Sequence, residues 1–344
     1  MSGNSSIRGY IKLPSPAYIL SAASAGGVHE TSGPLGGRFD VTDNTGSDRF
    51  GKSTWEDSES EMQRLTLTSS MKKINVSDAD ISAVFAGDLQ NQCVGSNYGL
   101  LDFDIPYFGL YGACSTAAEA LILASVLVTG ISSEYAGTAA AVASSHNSAA
   151  ERQFRSPVEY GGQRTPTAQW MVTGAGAFIL GCAGMPGLPA IKEVLVGRSV
   201  DMGINDLCNM GAAMAPAAVD TLKRYFDITN TRPDGYDLIL TGDLGYEGSR
   251  IFRDFMATEG YETDSKHSDC GLMIYDSKAT DKHAGGSGCG CSASVLAADI
   301  IPRIISGELN NILFMATGAL MSPASVWQGK NIPGICHLLH IERG

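Results

Sequence analysis

The sequence predicts an α/β fold made of two fused, homologous halves, each rich in βαβ units. Three observations lead there. The first is an internal repeat. ISAVFAGDL (81–89), PYFGLYGACSTAAEALILASVLVTG (106–130) and AGTAAAVASSH (136–146) are echoed by YDLILTGDL (236–244), GGSGCGCSASVLAADIIPRIISG (285–307) and NILFMATGAL (311–320). Each copy reads as a strand ending in Gly-Asp-Leu, a glycine-rich turn with cysteine, a helix, a glycine and a second strand. The second observation is spacing: the same sixteen positions separate Cys114 from Gly130 and Cys291 from Gly307. A period this long is no solenoid and points to a duplicated domain. The third is strand character. Near-continuous apolar runs between helices imply buried, mostly parallel sheets covered on both faces.

Along the chain, Ser53-Thr54-Trp55-Glu56 is read as a capping box opening a helix toward Lys73. The run after Cys114 is a buried core helix. Further strands are expected over Met171–Cys182 and Ala190–Val196, and a helix over Met214–Phe226 starting near Pro216. The N-terminal half is placed at 1–200, including a glycine- and proline-rich loop region over 145–200, and the C-terminal half at 201–344.

Composition narrows the function classes. The 344 residues are 44% hydrophobic and 17% charged, as in a globular chain with a large core. Net charge is -12, without a Lys/Arg cluster, so nucleic acid is not an expected partner. The eight cysteines form no C-x-x-C pair and no zinc spacing, which predicts free thiols in a reducing compartment. The start, MSGNSSIRGYIKLPSP, lacks the apolar core of a signal peptide. The longest apolar run, Ala120–Ile131, falls short of a membrane span.

Cys114 is the candidate of greatest chemical interest. A helix N-terminus favours negative charge and lowers a thiol pKa. The competing reading is a small, buried residue in a tight turn. His337 and His340 lie three apart on an expected strand and so face opposite sides, which argues against a metal site there.

Duplicated βαβ halves with a cysteine heading a buried central helix resemble the thiolase superfamily, which includes the ketoacyl-synthase condensing enzymes. The resemblance implies five layers, α-β-α-β-α. A narrower set of motifs resembles the stage V sporulation protein AD family: GPLGGRFD (33–40), AGDLQNQ (86–92), FGLYGACST (108–116), ASSHNSAAERQFRSPVEYGGQ (143–163), MGAAMAPAAVDTL (210–222), HSDCGLMIY (267–275), GGSGCGCSA (285–293) and ATGALMSP (316–323).

That resemblance implies a binding protein for dipicolinic acid in spore-forming bacteria. It would act with membrane proteins of the same sporulation operon to move dipicolinate, with calcium, into the forespore. It would lie peripherally at the forespore inner membrane and form a homodimer, with the strand near 134–145 pairing across a two-fold axis. No cofactor is expected beyond calcium in the chelate.

Condensing enzymes and thiolases draw a second set of groups, His with Asn or His with Cys, from their second half. The corresponding places here read Thr241-Gly242-Asp243-Leu244-Gly245 and Gly288-Cys289-Gly290-Cys291-Ser292. Each missing acid or base costs roughly 10²–10⁴-fold in rate. The expectation is a degenerate site that binds without catalysing; the alternative is an acyl-transfer or condensing enzyme using Cys114. A third reading is a scaffold for membrane partners.

Candidate ligand-binding residues are Cys114, Gly288 and Cys289 in the two glycine turns, and His146, Arg152 and Arg155 after the repeated strand. Asp88 and Asp243 complete the set. Arginine forks match carboxylates, and helix N-termini suit anions. Asp88 and Asp243 are read chiefly as caps of the next turn; two aspartates alone are a weak calcium signal.

Overall fold

The computed structural model describes residues 7–130, 137–150, 155–157, 162–279, 281–319 and 321–344. Ten strands form one continuous hydrogen-bonded sheet. They are β1 (Tyr10–Gly26), β2 (Ile81–Gly87), β3 (Tyr107–Leu110), β4 (Thr138–Ser145) and β5 (Gly174–Gly181). The second set is β6 (Pro189–Leu195), β7 (Leu238–Thr241), β8 (His267–Asp269), β9 (Asn311–Ala319) and β10 (Gly334–Arg343). The order across the sheet is β8-β7-β9-β10-β6-β1-β5-β4-β2-β3, with a two-residue strand, Val41–Thr42, beside the end of β1.

Each set of five has the same order and the same mixture of directions. In the first, β3, β2 and β4 run parallel while β5 and β1 add antiparallel. In the second, β8, β7 and β9 run parallel while β10 and β6 add antiparallel. The sheets are therefore mixed rather than mostly parallel. β1 and β6 pair antiparallel and join the halves edge to edge.

Six principal helices complete the layers: α1 (Trp55–Lys73), α2 (Val94–Gly99), α3 (Thr116–Gly130), α4 (Met210–Thr229), α5 (Gly245–Thr258) and α6 (Cys289–Val295). The last continues through a π turn, Leu296–Ile300, into Ile301–Ile305. α1 covers β1, β4 and β5 from outside, and α4 covers β9 and β10. α3 lies between the half-sheets, touching β1, β2, β4 and β5 on one side and β9 and β10 on the other, with α6 beside it. The fold is the five-layer α/β arrangement. The helical stretch 113–130 is long and apolar enough to cross a membrane by composition, which corrects the expectation of too short a run. Here it forms a core helix, with Ala118, Leu121 and Ala124 fully buried.

Local chemistry explains the element boundaries. The α1 cap is Thr54, whose side chain accepts from Asp57 N–H, so the helix is capped one residue later than expected, by the N-cap half of a box alone. α4 begins at Met210, ahead of the expected start. The Asn209 side chain caps it by accepting from Ala212 N–H, and Pro216 sits inside the helix. The expected dimer strand is also corrected. β4 is hydrogen-bonded on both edges, to β2 and β5, and has no edge left to pair. The open edge in that half belongs to β3.

Candidate functional site

Cys114 sits in a single 3-10 turn, Ala113–Ser115, that leads into α3. Ala113 adopts φ 52°, a left-handed conformation that favours glycine. The turn is braced by its own hydroxyls: Ser115 Oγ donates to Gly112 O at 2.7 Å, and Thr116 Oγ1 donates to Ala113 O at 2.7 Å. The Cys114 side chain is buried and its sulfur lies 3.9 Å from Ser287 Oγ.

Behind that contact stands Asp243, also fully buried. Asp243 Oδ2 accepts from Ser287 Oγ at 3.0 Å and from Gly288 N at 2.9 Å, and Oδ1 accepts from Thr317 Oγ1 at 3.0 Å. The N-terminus of α6, read from sequence as a cradle for a ligand anion, already holds the chain's own carboxylate. Gly288 has φ 107°, and a Cβ there would lie 2.6 Å from Met171 Sδ and from Ser145 Oγ. Cys289 donates its thiol to Ser144 O at 2.9 Å. The second-half groups that face Cys114 are therefore Ser287 and the Asp243 carboxyl.

Burial pushes the Cys114 thiol well above its ordinary value, and the Asp243 carboxyl adds to that shift. Burial raises the Cys289 thiol as well. The helix N-terminus does not prevail over these effects, and the expectation of a lowered thiol pKa is corrected. Burial also raises Asp243, against its hydrogen bonds.

A cavity of about 380 Å³ opens beside Cys114, between its turn and the ends of β9 and β10. Its walls include Tyr111, Met210, Gly318 and Ile335. The charged side chain in the wall is Glu119. Its Oε1 accepts from Ser115 Oγ at 3.1 Å and from His337 Nε2 at 3.2 Å. His337 Nδ1 accepts from Gly197 N at 3.0 Å, which puts the ring proton on Nε2.

A family model for stage V sporulation protein AD matches residues 8–342. A stage V sporulation protein AD from Bacillus subtilis (strain 168) is 43% identical over 328 residues, covering 95% of each chain. The chain belongs to the stage V sporulation protein AD family. Solved structures share its fold at low identity. An OleA variant from Xanthomonas campestris with cerulenin is 13% identical at TM-score 0.60, over 96% of this chain and 98% of that one. The 3-oxoacyl-[acyl-carrier-protein] synthase III from Aquifex aeolicus VF5 is 12% identical at TM-score 0.55, over 95% and 99%. AbyA1, a tetronic acid condensing enzyme, is 17% identical at TM-score 0.57, over 95% and 99%. These likenesses show the thiolase-like fold.

The remaining expected residues of this stage V sporulation protein AD family member are spread out. His146 does not line the cavity. Its Nδ1 accepts from Ser148 N at 3.2 Å and its Nε2 donates to Asp48 O at 2.8 Å, so the main chain occupies both ring nitrogens. Trp55 packs against the ring at 5.5 Å.

Asp88 caps its own loop, accepting from Gln90 N at 2.9 Å and from Ser96 N and Oγ at 2.7 Å each. Asp243 caps the distant turn before α6 instead, and Asp269 takes the local duty at the start of α5, accepting from Leu244 N at 2.8 Å and Gly245 N at 3.0 Å. Arg152 lies outside the described residues. The Arg155 backbone pairs with Arg164 in a two-residue hairpin. The Arg155 side chain lies outside the described residues.

Sequence reasoning missed Ser287 and Glu119, and weighed His337 only as a metal ligand. Ser287 directly precedes the Gly288-Cys289 pair, and a hydroxyl beside that turn was the one available signal. Glu119 and His337 meet across 218 positions, a separation that no local pattern bridges.

Proposed function

We propose that this chain is a non-catalytic binding protein for dipicolinic acid, as the acid or its calcium chelate, in the cavity beside Cys114. It serves uptake into the developing spore together with membrane proteins of the same operon. The observation that carries this reading is the fate of the second-half groups. Asp243 and Cys289 stand where a condensing enzyme needs an acid/base pair; Asp243 is committed to the turn before α6, and the Cys289 thiol to the Ser144 carbonyl of β4. The cavity nevertheless remains, at a size suited to a small planar ligand. Glu119 in its wall disfavours a bare dianion, and calcium in the chelate offsets that repulsion, so both forms belong in the test.

Titration calorimetry with dipicolinate, with and without calcium and with benzoate as control, tests the reading. Saturable binding that Cys114→Ala weakens supports it; no heat with either form sinks it. Acyl transfer is the second reading, favoured by the retained cysteine at the head of α3. A mass increase on Cys114 after incubation with acyl-CoA would establish it. We further propose a homodimer through the open edge of β3, where Phe108 and the adjoining Tyr111 are exposed.

A further inference from the structure

We propose that Glu30 and Asp48 form a proton-operated latch, which holds the segment 43–50 against the body of the protein and releases it when the shared proton is lost. The two carboxyl groups meet at Gly27. A Cβ on Gly27 would lie 2.6 Å from Asp48 Oδ1 and 2.8 Å from Glu30 Oε2, so both oxygens border one point. Glu30 is buried and Asp48 is half-buried. Glu30 Oε1 is well supplied with donors: it accepts from the Tyr275 hydroxyl and from Thr173 N at 3.2 Å. Glu30 Oε2 is buried too, and has no hydrogen-bond partner among the described residues. A proton on this carboxyl therefore belongs on Oε2, where Asp48 Oδ1 stands to accept it. Asp48 Oδ1 takes one other donor, Val28 N at 2.5 Å, and has a lone pair left.

The segment that Asp48 anchors is strained. Asp48 has φ 58° and Phe50 has φ 47°, left-handed conformations that residues with a side chain keep only where their contacts impose them. Residues 44–47 are exposed, and Asp43 gathers the loop by accepting from Thr45 N, Ser47 N and Arg49 N. The inward ties run through 48–50. Phe50 packs with Ala25, Met62 and Ala175. The Arg49 guanidinium carbon sits 3.8 Å from the Trp55 ring centroid, and Asp48 O accepts from His146 Nε2 at 2.8 Å. When Glu30 ionises, two carboxylates face each other where water screens them poorly. Opening the segment hydrates both and relieves the strain. It also uncovers the buried His146 ring and one face of Trp55.

The direction of the pH response follows from the surroundings. Burial, with the Asp48 charge adding to it, raises Glu30 from 4.5 to about 7 against its hydrogen bonds. His29 lies next to Glu30 in the chain, and His146 bonds the Asp48 carbonyl. Burial lowers both imidazoles below 6.5, so both lose their protons below the range in which Glu30 titrates. The nearby cations are Lys282, 3.0 Å from His29 Nδ1, and Arg49 on the Trp55 face; Glu56 adds a negative charge near His146. A carboxyl raised in the closed state favours closure most below its ordinary value, and that contribution is lost as pH rises through about 7. If Glu30 regains its ordinary value on opening, the open population grows about tenfold between pH 6 and pH 8.5.

Hydrogen exchange read by mass spectrometry, corrected for the intrinsic effect of pH on exchange, tests the latch. Val28, Arg49 and Lys52 carry hydrogen-bonded amides on the two sides of it, and β5 serves as the internal reference. Protection of peptides spanning 27–52 is expected to fall about tenfold from pH 6 to pH 8.5, with β5 unchanged. Glu30→Gln does not titrate and offers Asp48 a permanent donor, so it is expected to hold the segment equally at both pH values. At pH 8.5, trypsin is expected to cut after Arg49 about tenfold more slowly in Glu30→Gln than in the parent protein. Asp48→Asn keeps an oxygen for Val28 N and removes the facing charge, and is expected to shrink the pH response. Equal protection of 27–52 at both pH values in the parent protein would overturn the latch, as would a loss shared equally by β5. An undiminished pH response in Glu30→Gln, or in Asp48→Asn should the first variant not fold, would overturn it as well.

Discussion

At the residue scale, one carboxylate organises the site. Asp243 takes three hydrogen bonds, from Ser287, Gly288 and Thr317, in a fully buried setting. Asp243→Ala leaves those three donors without an acceptor and is expected to cost at least about 3 kcal/mol in chemical denaturation, since unmet buried donors cost about 1–3 kcal/mol each. Asp243→Asn keeps an acceptor, removes the charge and is expected to lose less. The same carboxyl helps hold the Cys114 thiol protonated. Iodoacetamide at neutral pH is therefore expected to label exposed Cys182 first and Cys114 only slowly; rapid labelling of Cys114 would mean the turn opens. Gly288→Ala is expected to destabilise by about 1–3 kcal/mol, from its positive φ and the crowding against Met171 and Ser145.

At the scale of elements, the duplication was legible and its specialisation was not. Two Gly-Asp-Leu strands and equal cysteine-to-glycine spacings announce two copies, and the strand order repeats as they require. Yet Asp88 caps its own loop while Asp243 reaches across to α6, because Gly288, the residue just before α6, has no side chain to cap the helix and donates its backbone N–H to the distant carboxylate. Position in a repeat does not reveal such a long-range partner. The dimer strand failed for a related reason. The small residues of β4 suit close packing, and the packing they meet is β2 and β5 of the same chain. The open edge, β3, is only four residues long. Phe108, which stacks on Phe85 at 5.1 Å, is still 57% exposed. Phe108→Glu is expected to shift the protein from dimer to folded monomer in light scattering; a monomeric parent protein would remove the homodimer proposal.

At the scale of the whole molecule, the interior is rich in carboxyl groups held above their ordinary range. Burial raises Glu30 and Asp269 to about 7 each. It also raises Glu59 and Asp88, which crowd the same side of Gly95. A carboxyl raised in the folded state favours folding most below its unfolded pKa, and that contribution is lost as pH rises through the folded value. The protein is thus expected to melt several degrees lower at pH 8.5 than at pH 5.5, with Glu59→Gln flattening the dependence. A melting temperature that climbs across that range would contradict the assignment.

The seam between β1 and β6 has a consequence for biosynthesis. β1, seventeen residues long and the first strand of the chain, finds its main neighbours in β5 and β6, which end at Gly181 and Leu195. A chain emerging from the ribosome must therefore carry a largely apolar strand without those partners until the 169 residues from Gly27 to Leu195 have followed it. Loop closure of this length slows folding and leaves the strand open to association with other chains. Nascent chains arrested before Leu195 are thus the stage at which this fold most depends on a holding chaperone, and release past that residue is the point at which protease resistance should first appear in the N-terminal half.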